Sequence, residues 1–240
     1  MKKLLPLCLA ALAITSLKAE TKVMRIYFGD GTSQYHETVI WTAGVKGEPL
    51  PGFPADKIGR GGRVLVDEYN RVEGLPGVYA IGDCVFGHAQ LAHTASAMGE
   101  VAAENICGIE AHYEEKTNPT CVYIEPEAAS VGHTEEQCKA QGIDYKVGKF
   151  PMSANGKALI LNGGEGLVKI IAGKEYGEIL GMHIIGPRAT DLIAEGALAI
   201  GEEMTLDEII STIHSHPTVT ETMREAALQA EKRAIHTSNK

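Results

Sequence analysis

The stretch Val78-Tyr79-Ala80-Ile81-Gly82-Asp83 decides the fold of the first half of the chain, because it predicts a buried strand that ends in a sharp bend. A carboxylate after such a strand lies at the strand's C-terminal edge, where open α/β folds bind their ligands. Residues 92–106 follow with helical periodicity. The start of a helix presents N–H groups that suit an anion or an electron-rich ring edge. We therefore expect part of an α/β domain, with Asp83 as a candidate acceptor for sugar hydroxyls.

The residues on the N-terminal side of this stretch predict short strands and tight turns. Residues 23–28 alternate in polarity and predict a strand, and Gly29-Asp30-Gly31-Thr32 is typical of a hairpin turn. A second apolar strand is predicted over residues 38–42 and ends close to Gly44, and a short strand is predicted over residues 64–66.

Beyond a charged linker at residues 108–118, the pattern changes to strands followed by helices. The predicted strands cover residues 121–124, 144–150, 166–172 and 178–185. The predicted helices cover residues 135–140, 191–200 and 219–233, with one more after Thr205, and Thr134 and Thr205 are typical N-caps. Strands followed by helices in this way predict a separate α+β domain.

The stretch His214-Ser215-His216-Pro217-Thr218-Val219-Thr220-Glu221 is the strongest candidate for catalytic chemistry. Pro217 restrains the backbone of His216 and suits the first turn of a helix, so Glu221 should lie about one turn further along. A carboxylate near an imidazole fixes its tautomer and raises its basicity, as general base chemistry requires. Two histidines and one Glu could also bind a metal, but no nearby residue completes a ligand set. The stretch therefore predicts an acid/base pair, and no metal site is expected.

These motifs resemble those of the pyridine nucleotide–disulfide oxidoreductases, and most closely the C-terminal portion of the dihydrolipoamide dehydrogenases. Residues 78–83 look like the family's second flavin-contacting motif, in which the Asp binds the ribityl chain. Gln90-Leu91-Ala92-His93-Thr94-Ala95 resembles the stretch whose helix start faces the flavin ring. His-Pro-Thr-x-x-Glu at residues 216–221 resembles the catalytic dyad. The resemblance covers roughly residues 76–238.

The resemblance implies FAD and NAD as cofactors and assigns roles to individual residues. His216 would act as acid/base toward a dithiol, Glu221 would orient its ring, and His214 would support the pair. The implied cofactor-binding residues are Gly82, Asp83, Gln90, Leu91, Ala92 and His93, the last three through backbone N–H groups, and Gly44, which matches a glycine near NAD. A homodimer is also implied, in which the dyad reaches the partner's flavin, as is binding to a lipoyl-bearing protein of a 2-oxo acid dehydrogenase complex.

The expected fold class is an α/β remnant of an FAD/NAD-binding domain followed by an α+β interface (dimerisation) domain. The predicted division is residues 1–20 as a signal-peptide-like segment, 21–112 as a partial FAD/NAD-binding domain and 113–240 as a dimerisation domain. The implied activity is oxidation of dihydrolipoamide by NAD⁺.

Two features depart from the family's pattern. The G-x-G-x-x-G turn and the redox cysteines four residues apart are absent from these 240 residues, so we expect little or no activity from this chain alone. Residues 39–71 look closer to type II NADH dehydrogenases, which suggests a join between two flavoproteins. The alternatives are therefore a type II NADH dehydrogenase-like or glutathione reductase-like flavoprotein, or a non-catalytic dimerisation module.

The composition limits the partners and the compartment. A net charge of −9 argues against nucleic acid, since phosphate binding needs clustered Lys and Arg. Five scattered cysteines are typical of reduced thiols, which together with the family indicates a cytoplasmic protein. Residues 1–20 nevertheless combine a basic start with a short apolar run, as in a signal peptide, so export stays open. That run is too short for a stable membrane span.

Overall fold

The computed structural model describes residues 23–40, 42 and 44–239, which divide into two compact units at Ala111 and His112. The signal-like segment predicted over residues 1–20 lies outside the described residues. No helix in the described ranges is both long and apolar enough to cross a membrane.

The first unit contains two small hairpins and one long helix. Its strands are β1 (Met24–Tyr27), β2 (Ser33–His36), β3 (Ile58–Gly59) and β4 (Arg63–Val64), and its helix is α1 (Ala92–Ile106). Short 3-10 turns lie at Ala55–Lys57 and Gly82–Cys84. The helix predicted over residues 92–106 is confirmed at both ends.

The first hairpin follows the predicted turn but not the predicted second strand. The Asp30 side chain accepts hydrogen bonds from both the backbone and the hydroxyl of Thr32, at 2.9 and 2.7 Å. This closes the turn early, so Tyr27 pairs with Ser33 and the partner strand is β2. Residues 38–40 and 42 form no strand, contrary to the strand expected over residues 38–42, because β2 already pairs with every residue of β1; residue 41 lies outside the described residues.

The buried strand predicted at residues 78–81 was also wrong. Its only strand-like pairing among the described residues is a single bridge between Tyr79 and Arg71, and Val78 and Ile81 are 36% and 41% exposed. A buried parallel strand needs neighbours on both sides. The backbone here bonds instead to the preceding loop, where Ala80 N–H donates to the Asn70 carbonyl.

The second unit contains a five-stranded antiparallel sheet with helices packed against it. Its strands are β5 (Thr120–Val122), β6 (Ala128–Gly132), β7 (Tyr145–Pro151), β8 (Leu167–Gly173) and β9 (Ile179–Ile185), and they lie in the order β5-β6-β9-β8-β7. Its helices are α2 (Glu135–Gln141), α3 (Gly156–Asn162), α4 (Ala189–Gly201), α5 (Leu206–Ser211) and α6 (Glu221–Ala230). Further 3-10 turns lie at Glu115–Thr117 and Met152–Ala154.

The core of the second unit lies between the sheet and helices α4 and α6. Alternate strand residues point into it, among them Val168, Ile170 and Ile184, each at most 1% exposed. Met223 of α6 and Ile193 of α4 fill the space from the helix side. This packing fixes α6, which carries Glu221, against the sheet.

Most of the predicted elements of the second unit are confirmed. The three strands after residue 143 agree to within a residue, and both Thr134 and Thr205 cap their helices in capping boxes. The sequence interpretation missed β6 as a strand and missed α3. The last helix begins at Glu221 and not near Val219, and Pro217 therefore lies outside its first turn.

Candidate active site

His216 and Glu221 lie in direct contact at the start of α6. The His216 Nδ1 atom is 2.9 Å from the Glu221 Oε1 atom. Because a carboxylate only accepts hydrogen bonds, Nδ1 of a neutral ring carries the proton and Nε2 keeps its lone pair. The His216 side chain is 81% exposed, so Nε2 is accessible to a reactant. The geometry suits a proton acceptor whose tautomer is fixed by the carboxylate.

The backbone of the preceding loop holds the second carboxylate oxygen. Thr218 N–H donates to Glu221 Oε2 at 3.0 Å, and the Thr218 hydroxyl donates to the Ser215 carbonyl at 2.6 Å. The Glu221 carboxylate therefore bridges the His216 ring and the loop that carries it.

The Glu221 carboxyl is held ionised by its surroundings. Burial acts to raise its pKa, but the Thr218 N–H, the His216 hydrogen bond and the positive potential of His216 and His236 outweigh burial and lower the pKa. The positive N-terminal end of α6 favours the same charge. An ionised Glu221 stabilises the positive charge that His216 gains when it accepts a proton.

His214 is anchored separately from His216. Its Nε2 atom lies 2.9 Å from Glu195 Oε1 on α4, and its Nδ1 atom lies 3.1 Å from the Thr212 carbonyl. Both ring nitrogens face acceptors, which favours the doubly protonated ring. The hydrogen bond to Glu195 raises the pKa of His214 against the opposing effects of burial and Arg224. The side chain is only 4% exposed, so the contact fixes the loop before His216 to α4.

We expect the His214–Glu195 contact to make the unit more stable below pH 6.5 than above it. A pKa that is raised by folding gives stability that is present below the unfolded value of 6.5 and is lost as the pH rises through the folded value. The E195Q variant should lose this part of the pH dependence. Urea unfolding between pH 5.5 and 8.5 would measure it, with E202Q on the exposed end of α4 as the control; equal slopes in E195Q and E202Q would contradict the prediction.

A cavity of about 480 Å³ adjoins the pair and is lined by a third histidine–carboxylate contact. His236 Nδ1 lies 3.1 Å from Glu225 Oε1, and the buried Glu225 carboxylate also accepts the N–H groups of Ile235 and His236. The sequence interpretation missed this contact. The available signal was the spacing of Glu221 and Glu225, which puts both on one face of a helix.

In the first unit, Gly82 and Asp83 lie against the start of α1. Gly82 has φ 72°, and a Cβ atom there would lie 3.1 Å from the Ala95 Cβ atom. The Asp83 carboxylate is exposed and has no hydrogen-bonding partner within the described part of the chain. It is therefore free to accept hydrogen bonds from hydroxyl groups beside the helix start.

The remaining predicted cofactor residues have different surroundings. Leu91 is the N-cap residue of α1 and forms no side-chain cap, while Ala92 and His93 are exposed in its first turn. The Leu91 N–H donates to the Ala89 carbonyl at 3.1 Å. A cofactor that accepts a hydrogen bond from this N–H would therefore have to replace the bond to Ala89. The Gln90 side chain is hydrogen-bonded within the protein. Gly44 has φ 80° and open space where a Cβ would lie.

Asp83 thus presents an exposed carboxylate, with no hydrogen-bonding partner among the described residues, beside the start of α1. This arrangement fits a ligand with hydroxyl groups, such as FAD. The described residues contain no group of three or more His, Cys, Asp or Glu side chains arranged to hold a metal ion.

Comparisons with known proteins match most of the chain to domains of one enzyme family. Residues 118–227 match the pyridine nucleotide-disulphide oxidoreductase dimerisation domain, and residues 11–99 match the pyridine nucleotide-disulphide oxidoreductase domain. The second match begins inside residues 1–20, so it gives no support to the signal-like interpretation of that segment.

Two curated relatives show how much of such a protein the chain represents. Dihydrolipoyl dehydrogenase of Bacillus subtilis is 49% identical over 160 residues, and dihydrolipoyl dehydrogenase 2 of Arabidopsis thaliana is 42% identical over 212 residues. These matches cover 66% and 87% of this chain but only 34% and 41% of the relatives. A match of 212 residues includes residues 39–71, whose likeness to type II NADH dehydrogenases stays a prediction.

Solved structures give the same fold. LpdA of Mycobacterium tuberculosis has a TM-score of 0.76 at 26% identity, over 85% of this chain and 45% of that one. The HOCl-induced flavoprotein disulfide reductase RclA of Escherichia coli has a TM-score of 0.73 at 18% identity, over 87% of this chain and 48% of that one, and shows the fold alone.

Proposed function

We propose, because this chain belongs to the pyridine nucleotide-disulphide oxidoreductase family, that it supplies the proton-transferring part of a dihydrolipoyl dehydrogenase-like enzyme. The fold class expected from the sequence, an α/β remnant of an FAD/NAD-binding domain followed by an α+β dimerisation domain, is confirmed. The observation that carries the proposal is the 2.9 Å contact between His216 and Glu221.

The overall reaction would be dihydrolipoamide and NAD⁺ to lipoamide, NADH and a proton. His216 Nε2 would accept a proton from the dithiol, and Glu221 would hold the ring and stabilise its positive charge. His214 would keep the loop in place through Glu195. Bound FAD would supply two-electron redox chemistry between the cysteine pair of a complete enzyme and NAD⁺, the second cofactor that this family uses.

Asp83 is the proposed ligand for the ribityl hydroxyls of FAD, because its carboxylate is exposed beside the start of α1. Gly82, Ala92 and His93 would form the rest of this surface, and Gln90 and Leu91 would shape it. Gly44 is the proposed NAD-side glycine. The 240 residues contain no pair of redox cysteines four residues apart. We therefore propose that a polypeptide of these residues alone has little or no turnover of dihydrolipoamide.

The partners and the domain division complete the proposal. The matched dimerisation domain supports a homodimer. We propose a lipoyl-bearing protein of a 2-oxo acid dehydrogenase complex as its partner, a cytoplasmic location, and a division near residues 112 and 113. No specific observation favours a type II NADH dehydrogenase, a glutathione reductase or an inert module.

Flavin binding and assembly test the proposal directly. We expect the purified chain to be a dimer that takes up FAD with visible flavin absorbance, and D83N to weaken FAD binding by about tenfold, since a charge-assisted hydrogen bond contributes roughly 1.5–3 kcal/mol. E73Q, which changes another exposed carboxyl of the first unit, is the matched control.

Absorbance titration and analytical ultracentrifugation give separate answers. A colourless dimer would contradict the flavin site and leave a dimerisation module. A monomer would contradict the proposed assembly. Measurable oxidation of dihydrolipoamide by NAD⁺ would contradict the expected lack of turnover in the isolated chain.

A further inference from the structure

Arg63 of β4 connects the three segments that carry the proposed cofactor residues. Its Nη2 atom donates to the Gln90 side-chain oxygen at 2.6 Å and to the Val45 carbonyl at 3.3 Å. The Gln90 amide nitrogen in turn donates to the Asp83 carbonyl at 3.3 Å. The Arg63 guanidinium thus contacts Val45, which follows Gly44, and Gln90, which precedes Leu91. Through Gln90 it is also linked to the backbone of Asp83.

The backbone around Arg63 places it between these segments. Gly47 N–H donates to the Gly61 carbonyl at 2.7 Å, and a Cβ atom on Gly62 would lie 2.6 Å from the Gly47 carbonyl oxygen. The glycines therefore allow two backbones to approach more closely than side chains would permit. On the other side, Phe86 N–H donates to the Val64 carbonyl at 2.9 Å.

The Arg63 side chain is not an ordinary surface cation. Its Nε atom is buried and has no hydrogen-bond acceptor among the described residues. An unpaired buried donor costs about 1–3 kcal/mol, so it needs a compensating role. Its planar fork of donors can hold two acceptors at fixed angles, which the flexible ammonium of Lys does less well.

We propose that Arg63 is a positioning residue for the flavin site. It fixes the Gln90 side chain, and through it the Asp83 backbone, so that the Asp83 carboxylate and the start of α1 face one ligand. Arg63 also ties the segment after Gly44 to the same point. This inference rests on the proposed function, because the ligand is the FAD proposed above.

The first measurement needs no cofactor. In the R63M variant, which keeps an unbranched apolar stem but removes the guanidinium donors, we expect amide hydrogen exchange of residues 82–91 to become at least fivefold faster. R60M is the matched control, because Arg60 lies three residues earlier and is exposed. Unchanged exchange in R63M would overturn the positioning role, whether or not FAD binds.

The second measurement uses FAD. The R63M substitution should raise the dissociation constant of FAD about tenfold and broaden the visible circular dichroism of the bound flavin. The R63K variant should keep part of the affinity that R63M loses, and R60M should bind FAD as the wild type does. Faster exchange with unchanged FAD affinity would overturn the link to the cofactor. If the wild-type chain binds no FAD, the proposed flavin site fails, and the exchange result still decides whether Arg63 orders residues 82–91.

Discussion

The H216Q substitution is expected to lower dithiol oxidation by roughly 10²–10⁴-fold, the usual contribution of a positioned general base. The measurement requires an enzyme with a flavin and a redox cysteine pair. A chimera would provide both by replacing the matching dimerisation domain of the Bacillus subtilis relative with residues 112–239 of this chain, which form a compact unit. Turnover of dihydrolipoamide and NAD⁺ would be followed as NADH formation.

The expected loss follows from the geometry of the ring nitrogens. Nδ1 of His216 is committed to Glu221 at 2.9 Å, so Nε2 is the atom that can accept a thiol proton. Glutamine keeps a polar side chain of similar size but has no basic nitrogen. The E221Q variant should lose less, about 10-fold, because Nε2 is still present but a neutral partner no longer supports the imidazolium.

Two controls separate proton transfer from folding. NADH oxidation by ferricyanide, which takes electrons one at a time and needs no thiol proton acceptor, should be unchanged in H216Q. The H133Q variant, in which the changed ring contacts Gln141 and not the candidate site, should retain dithiol oxidation. Normal dithiol turnover in the H216Q chimera would remove His216 from the mechanism, whereas loss of both activities would point to a damaged flavin site.

The second unit was largely predictable from sequence because its signals are local. Thr134 and Thr205 cap their helices with hydrogen bonds to residues two or three positions away, and these patterns are visible in the sequence. The strands at residues 145–151 and 167–173 pair as neighbours along the chain with their buried faces in register. Strand β6 was missed although it pairs with β5 just before it; its other partner, β9, lies more than forty residues later and leaves no local signal.

The first unit was less predictable because the strand predicted at residues 78–81 would have required partner strands on both sides. Its apolar sequence satisfies the pattern of a buried strand, but the pattern carries no information on whether neighbours are present. Its backbone bonds to the loop at residues 70–75, and two of its apolar side chains remain exposed. Helix α1 needed no such partners for its boundaries and was predicted correctly.

The contacts of the candidate site also divide into those that a local sequence pattern indicates and those between residues far apart in the chain. The spacing of His216 and Glu221 within one loop and helix start made their contact predictable from sequence. The contacts of Arg63 with Val45 and Gln90 span 18 and 27 residues, and no local pattern indicates them. His236 and Glu225, 11 residues apart, meet only because the chain folds back after α6.

The G148A substitution is expected to destabilise the second unit strongly. Gly148 lies in β7, directly beneath α6, and a Cβ atom there would overlap the Ala226 carbonyl oxygen and lie 2.8 Å from the Ala230 nitrogen. Both atoms belong to the backbone of a packed helix, so no side chain can move aside. Overpacking of this kind costs about 1–3 kcal/mol, and we expect the upper end.

The displaced helix would also disturb the candidate site, because Glu221 is its first residue and Arg224 donates from it to the Ile210 carbonyl at 2.9 Å. G156A is the matched control: Gly156 opens α3, an added Cβ atom there would have no neighbour within 4 Å, and alanine favours helices. The urea unfolding midpoint should therefore fall in G148A and stay equal or rise in G156A. An unfolding midpoint equal to that of the wild type in G148A would show that α6 can shift away from β7. The rigid support of the His216–Glu221 contact would then have to come from the loop at residues 212–220.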